Sequence, residues 1–375
     1  MPDANTVLLR ALAARSLAII RAAQAPSGAY VASPSFPVYG YSWFRDGAFI
    51  ADAMSRAGEI ESAEAFFDWC AGVLDARIDR VEGLIDRATR GESVAATDHL
   101  HTRYTLGGQE SDAEWWNFQL DGYGAWLWAL EAHVRRHGRP IERFLGGAVL
   151  SARYIEAFWR EPSYDWWEEH PEHRHVSTLG AVAAGLRAAS RLPGVDSDLA
   201  ARFGTRADAI VETLHEETAR LGYLPKWLGG DAVDASLLAL GGTFELFAPD
   251  DPTMIATVAR IEAELVHAAG VHRYLDDTYY GGGEWLPLAG FLGLHHVASG
   301  RPDAARDELA WMARQATPDD LLPEQVSAHL LAPDRYTEWV ERWGPIATPL
   351  LWSHAMYVSL AVGLGVMAPL VASER

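Results

Sequence analysis

Five short stretches of the chain carry residues suited to chemistry, four of them setting aromatic rings beside carboxylates, arginine or glutamine. They are Tyr39-Gly-Tyr-Ser-Trp-Phe-Arg-Asp46, Trp115-Trp-Asn-Phe-Gln-Leu-Asp-Gly122, Asp165-Trp-Trp-Glu-Glu169, Arg273-Tyr-Leu-Asp-Asp-Thr-Tyr-Tyr-Gly-Gly-Gly-Glu-Trp285 and Pro323-Glu-Gln325. A sugar ring offers apolar C–H faces to Trp and Tyr. Its hydroxyls suit Asp, Glu, Arg and Gln, which can bind them through paired hydrogen bonds. A single such stretch reads better as a core aromatic with a buried polar partner. Five of them, each at an expected helix–loop boundary, favour a carbohydrate site. Cleaving a glycosidic bond takes two carboxyls, one protonated to donate to the leaving oxygen and one to activate water or attack the sugar. Burial against rings and a neighbouring carboxylate raise a carboxyl's pKa, as a proton donor requires. Glu168 fits, preceded by Trp166 and Trp167 and followed by Glu169. Two tryptophans directly before it weaken the alternative of a solvated acidic turn. Glu324, 156 residues further on, is its natural partner, and only the fold can bring the two together.

The elements that must position these residues read as helices. Ala63, Phe66, Phe67, Cys70, Val73 and Leu74 fall at i, i+3, i+4, i+7 spacing, the stripe of an amphipathic helix. Helices are expected near 5–24, 45–57, 59–78, 114–137, 142–159, 178–191, 196–221, 234–241, 252–268, 285–299, 303–315 and 348–365, with short extended pieces near 28–42 and 271–281. Gly58, Gly138, Pro193, Gly222, Gly270 and Gly300 supply stop signals. Twelve helices in 375 residues suit an all-α (α/α)6 barrel, six helical hairpins closed in a ring with a buried inner layer. An irregular bundle is the alternative, and no period is strict enough for a solenoid. No linker divides the chain, so residues 1–375 are expected to form one domain. From Trp343 to Ser373 there is no Asp, Glu, Lys or Arg, yet Pro345, Pro349, His354 and Pro369 interrupt the stretch. An inner helix accounts for it better than a membrane span.

Composition narrows the partners. With 31 Lys+Arg against 51 Asp+Glu the net charge is −20, the opposite of a nucleic-acid footprint, and no membrane partner is expected. One cysteine, Cys70, allows neither an internal disulfide nor a Cys-built zinc site. Arg10, Arg15 and Arg21 break every apolar run of the first residues, so a cytoplasmic location is expected. His170-x-x-His173-x-His175 is the nearest approach to metal-ligand spacing. It reads as a polar loop near the sugar, so no metal and no cofactor are expected.

The ordered set of motifs resembles glycoside hydrolase family 15, the glucoamylase family, over nearly the whole chain, from Tyr39 to Trp352. The resemblance implies an (α/α)6 catalytic domain and roles for individual residues. Arg45 and Asp46, in Tyr41-Ser-Trp43-Phe-Arg45-Asp46, would grip the hydroxyls of the terminal glucose, with Trp43 packing its face. Tyr39 would assist the catalytic base. Trp115, with Gln119 and Asp121 in the same motif, would cap the sugar. In Asp165-x-Trp167-Glu168-Glu169, Glu168 would be the general acid and Glu169 would bind the sugar beside the scissile bond. Arg273 would hold hydroxyls in the −1 site, Trp285 would line the +1 side, and Glu324 would be the general base. The expected activity is an inverting, exo-acting release of β-glucose from short α-glucosides, a small-molecule carbohydrate substrate. Two features lean it to α-1,6 linkages: Glu284, where relatives often carry Asn-Pro or a small residue, and the absence of sandwich or starch-binding modules. An α-1,4 glucoamylase, a trehalase, a histidine-based epimerase, a phosphorolytic enzyme and a non-catalytic glycan binder are the alternatives.

Overall fold

A computed structural model describes residues 4–369. Six segments are buried nearly end to end: α2 (Phe44–Arg56), α5 (Asp121–His137), α7 (Val176–Ala189), the 3-10 turn Ala235–Leu240, α10 (Leu286–Ala298) and α13 (Leu351–Gly363). A segment buried on every face must be surrounded. These six surround one another: each packs on the next in chain order, and α13 packs back on α2 to close the ring. Outside it lie α1 (Ala4–Ala23), α3 (Ile60–Asp75), α6 (Glu142–Phe158), α8 (Ser197–Leu221), α9 (Pro252–Leu265) and α11 (Pro302–Arg314). The outer helices bury one stripe only. In α8 it is Phe203, Ala207, Ile210, Leu214 and Thr218. Outer and inner elements alternate along the chain, which makes six hairpins and the expected (α/α)6 barrel.

Glycine sets the closest approach within the ring. A Cβ on Gly124 of α5 would fall 2.2 Å from the Ala181 carbonyl oxygen of α7. One on Gly185 would fall 2.5 Å from the Gly124 Cα. Neither backbone could come so near with a side chain between. The stop signal at Gly222 is a left-handed C-cap of α8, with φ 80°. The start of α8 is fixed by Asp196, whose side chain accepts from the Asp198 and Leu199 N–H groups.

Several expected boundaries move. The segment expected to be helical from 114 begins only at Asp121, because residues 114–120 run as irregular chain across the barrel mouth. The fourth inner element is a 3-10 turn, capped by the Asp234 side chain on the Ser236 N–H. Two helices were not expected: α4 (Ile78–Thr89), after α3, and α12 (Tyr336–Trp343), before α13. Extended pieces reduce to two-residue pairs. These are β1 (Ser42–Trp43) with β2 (Arg103–Tyr104), β3 (Val266–His267) with β4 (Gly270–Val271), and β5 (Glu284–Trp285) with β6 (Gln325–Val326). Among the described residues no helix is long and apolar enough to cross a membrane, and the charge-free terminal stretch contributes the buried inner helix α13.

Candidate active site

The loops that enter the inner helices converge at one end of the ring around a cavity of about 160 Å3, open at its mouth. Of the expected site residues, Tyr39, Trp43, Arg45, Asp46, Trp115, Trp167, Glu168, Glu169, Arg273, Trp285 and Glu324 all line it. Gln119 and Asp121 stand behind the wall. The Arg45 Nη1 donates to Gln119 Oε1 at 3.0 Å and to Asp121 Oδ2 at 3.1 Å, which aims the guanidinium into the cavity. Its Nε lies 3.4 Å from Asp46 Oδ2, and neither atom has a hydrogen-bond partner among the described residues.

Glu168 sits on a strained turn. Its φ of 67° and the 52° of His170 are left-handed values that a side chain normally avoids. Asp165 holds the turn: its Oδ1 accepts from the Trp167 and Glu169 N–H groups, both at 2.9 Å. Asp165 is held in turn by the buried Lys226, whose Nζ reaches Asp165 at 2.9 Å and Asp234 at 2.6 Å. Asp234 also accepts from the Trp167 indole at 2.8 Å. Burial alone would raise the Asp165 carboxyl, but Lys226 and His175 hold it below its ordinary range. The strained turn therefore rests on a buried carboxylate paired with a buried ammonium.

Glu168 Oε1 accepts from the Trp43 indole at 2.7 Å. Burial raises its pKa, and Arg45 with the Trp43, Trp115 and Gln119 donors only partly offsets this. Glu324 is 2% exposed, and the register of β5 with β6 places it where the chain passes Trp285. Its backbone is pinned on both sides, its N–H to Ala347 O at 2.9 Å and its carbonyl to the Leu286 N–H at 3.2 Å. Burial pushes its carboxyl up to about 8, while hydrogen bonding from Tyr39, the charge of Arg273 and Gln325 pull it down and Asp46 pushes it further up. Its Oε2 has no partner among the described residues. The Tyr39 hydroxyl shares a 2.7 Å hydrogen bond with that of Tyr279.

On the opposite wall the Arg273 Nε donates to Asp277 at 2.7 Å and a second nitrogen closes the fork on the same carboxylate. That second nitrogen, Nη2, also lies 3.6 Å from Glu169 Oε1. Tyr274 donates to the other Glu169 oxygen. The arrangement can hold several hydroxyls at once, stack a ring on tryptophan, and place a proton donor and a proton acceptor on the same cavity.

Sequence reasoning missed part of the wall. Trp339 and Trp343 of α12 line the cavity, and Trp343 lies 6.3 Å from Trp115, ring centre to ring centre. Their i, i+4 spacing in a segment with no buried residue was the available signal. Arg103 was also missed: it stacks 3.5 Å over the Trp115 ring and 4.1 Å over Tyr41, and so backs the cavity-lining Trp115. The His170–His175 loop lies outside the cavity wall, where His173 stacks at 4.2 Å on Trp227.

Comparison with known proteins follows the same lines. Residues 7–293 match the model of the glycosyl hydrolases family 15. The isomaltose glucohydrolase of Kribbella flavida is 45% identical over 363 residues, which are 96% of this chain and 94% of that protein. A glycosidase solved in complex with glucose superposes with a TM-score of 0.95 at 44% identity, over 98% of this chain and 100% of that one. The glucoamylase of Hormoconis resinae shares the fold at a TM-score of 0.72 and 15% identity, over 97% of this chain and 74% of that one.

Proposed function

Because the chain belongs to family 15 of the glycosyl hydrolases, and is a glycoside hydrolase on that account, we propose that it is an exo-acting, inverting α-glucosidase. It releases β-glucose from the non-reducing end of short α-1,6-linked glucosides such as isomaltose. The proposal takes the whole chain as one catalytic domain. One observation carries it: unpartnered buried polar atoms of Arg45, Asp46, Trp285 and Glu324 belong to a tryptophan-walled cavity whose four carboxyls, Asp46, Glu168, Glu169 and Glu324, all have raised pKa values. Buried polar atoms are nearly always hydrogen-bonded, and a glucose ring brings the hydroxyls that would satisfy them.

In this scheme Arg45 and Asp46 anchor the terminal glucose at the blind end, and Trp43 and Trp115 cover its face. Arg273 and Glu169 hold hydroxyls near the scissile bond. Glu168 gives its proton to the bridging oxygen as the bond to the anomeric carbon breaks. Glu324 takes a proton from water as that water attacks the same carbon from the opposite face, and β-glucose results. The water requires the two carboxyls to stand roughly 6.5–9.5 Å apart. The aglycone sugar faces Trp285, Trp339 and Trp343, an aromatic rim that suits a flexible 1,6-linked partner by stacking on its apolar faces. The isomaltose relative supports the linkage.

Product analysis by NMR on isomaltose, maltose and trehalose tests the reading. The expected result is release of β-glucose, fastest from isomaltose. Faster turnover of maltose or trehalose removes the linkage, and α-glucose as first product removes the inverting scheme.

A further inference from the structure

A second cluster lies beside the cavity and takes no part in the scheme above. Glu284, the residue of β5 next to Trp285, is 2% exposed. Gly270 makes room for it: a Cβ there would fall 2.3–2.6 Å from the Glu284 carboxyl. Two histidines from separate segments converge on one oxygen of this carboxylate. His329 Nδ1 lies 3.0 Å from Oε1, and His267 Nδ1, from β3, lies 3.5 Å from the same atom. The two imidazole rings stand 3.7 Å apart, centre to centre. One ligand atom from each of the three residues fits within 4.8 Å of the others.

We propose that His267, Glu284 and His329 form a binding site for a borderline divalent cation, of which Zn2+ is the prototype. The chemistry of the donors fits: two imidazole nitrogens and one carboxylate oxygen are a zinc set with a fourth position open to water. The geometry fits as well. Tetrahedral zinc with bonds of about 2.0–2.2 Å separates its ligand atoms by about 3.4 Å; here the two histidine–carboxylate separations are 3.0 and 3.5 Å and the third lies within 4.8 Å. Charge gives the reason. A buried carboxylate needs a compensating cation, and among the described residues Glu284 has neither Lys nor Arg within ion-pair distance, only the two histidines. Both histidine side chains are half exposed, 57% and 50%, so the cation can enter from solvent.

Bound there, the ion ties three parts of the barrel mouth together: the β3–β4 hairpin, the β5–β6 pair and the loop carrying His329. The strand residues next to Glu284 and Val326 are Trp285 and Gln325, so the tie steadies the + side of the cavity without touching substrate. Sequence spacing hides the site, since its ligands are 17 and 45 residues apart and no short motif contains two of them.

The test is calorimetric titration of ZnCl2 into the chelator-treated full chain, with melting temperature as a second readout. One Zn2+ per chain is expected, and at a hundredfold excess over Kd the Tm should rise by about 3 °C. His329→Ala and His267→Ala, on different segments and half exposed, should each weaken binding by about 100-fold or more and abolish the Tm rise. His215→Ala, an exposed histidine elsewhere, should change neither. Absence of Zn2+ binding by the unmodified chain overturns the proposal. So does binding that survives both variants, or a Tm rise that His215→Ala removes and His329→Ala keeps.

Discussion

Asp46 and Asp52 sit on the same inner helix, six positions apart and both buried, and their surroundings push them in opposite directions. Asp52 points to the end of the barrel away from the cavity. Arg56 and Arg136 reach its two oxygens at 2.6 and 2.8 Å. Burial would raise its carboxyl, yet the two guanidinium groups hold it below the ordinary value. Nearby Glu64 is gripped by Arg139 and Arg143 and is lowered as well, against the pull of burial. Asp46 opens on the cavity. Burial pushes it up to about 6, because Arg45 is shared with Asp121 while Glu168 and Asp121 add repulsion. An acid at a helix N-terminus should gain from the helix dipole, and here burial and like charge outweigh that gain. One end of the ring satisfies its charges and holds the fold. The other leaves them short of partners, a cost that a substrate's hydroxyls can offset.

The sharpest break in this comparison is Glu168→Gln. Loss of the proposed proton donor should lower kcat by about 10³-fold or more, with glucose binding retained. The folded-state pKa of Glu168 is raised, so the ionised group costs stability as pH rises above its unfolded value. Removing the charge should leave Tm unchanged or higher. A variant with near-normal kcat would end the role assigned to Glu168. A fall of many degrees in Tm would show that the cavity end also holds the fold. Asp52→Asn is the converse. Its lowered pKa means that its contribution is complete above the unfolded value near pH 4 and fades as pH falls through the folded one. At neutral pH the variant should lose about 2 kcal/mol, since two partly exposed arginines lose their shared acid, and kcat/KM should hold. Thermal melts and kinetics on one preparation decide both.

What could be read beforehand follows from which residues are neighbours in the chain. Arg45–Asp46 and Trp167-Glu168-Glu169 act as units because a turn presents adjacent side chains together, so their composition betrays them. The inner helices were legible for a similar reason: α10 is buried from Leu286 to His296, and an unbroken apolar run admits few other readings. The failures are residues whose partners are remote. α4 and α12 lie outside the ring of hairpins, so their apolar stripes are thin: α4 buries only Val81 and Leu84, and α12 buries none. Trp339 and Trp343 gain meaning only from the cavity they overhang. Lys226, the cation under the Glu168 turn, is separated from Asp165 by 61 positions and sits in no motif.

The finest test concerns Tyr39, which stands between the two conditions, half-buried and beside Glu324, whose Oε2 has no partner among the described residues. In the proposed scheme water attack needs Glu324 ionised, so the pH profile of kcat/KM carries its ionisation in the free enzyme. Burial sets that pKa high, to about 8, and Tyr39 lowers it by favouring the charged form. The Glu168 carboxyl is raised less, so the two titrate as a pair whose upper limb follows Glu324 and whose lower limb follows Glu168. Tyr39→Phe deletes the hydroxyl, so the pKa of Glu324 should rise and the upper limb should move to higher pH. A hydrogen bond to a charged group is worth about 1.5–3 kcal/mol, so the limb should move by roughly one unit or more. The lower limb should stay in place, because burial and then Arg45, Trp43, Trp115 and Gln119 govern Glu168. A pH profile in which only the upper limb moves separates a residue that tunes the base from one that merely fills space. An upper limb that stays put or moves to lower pH would show that Tyr39 does not serve Glu324.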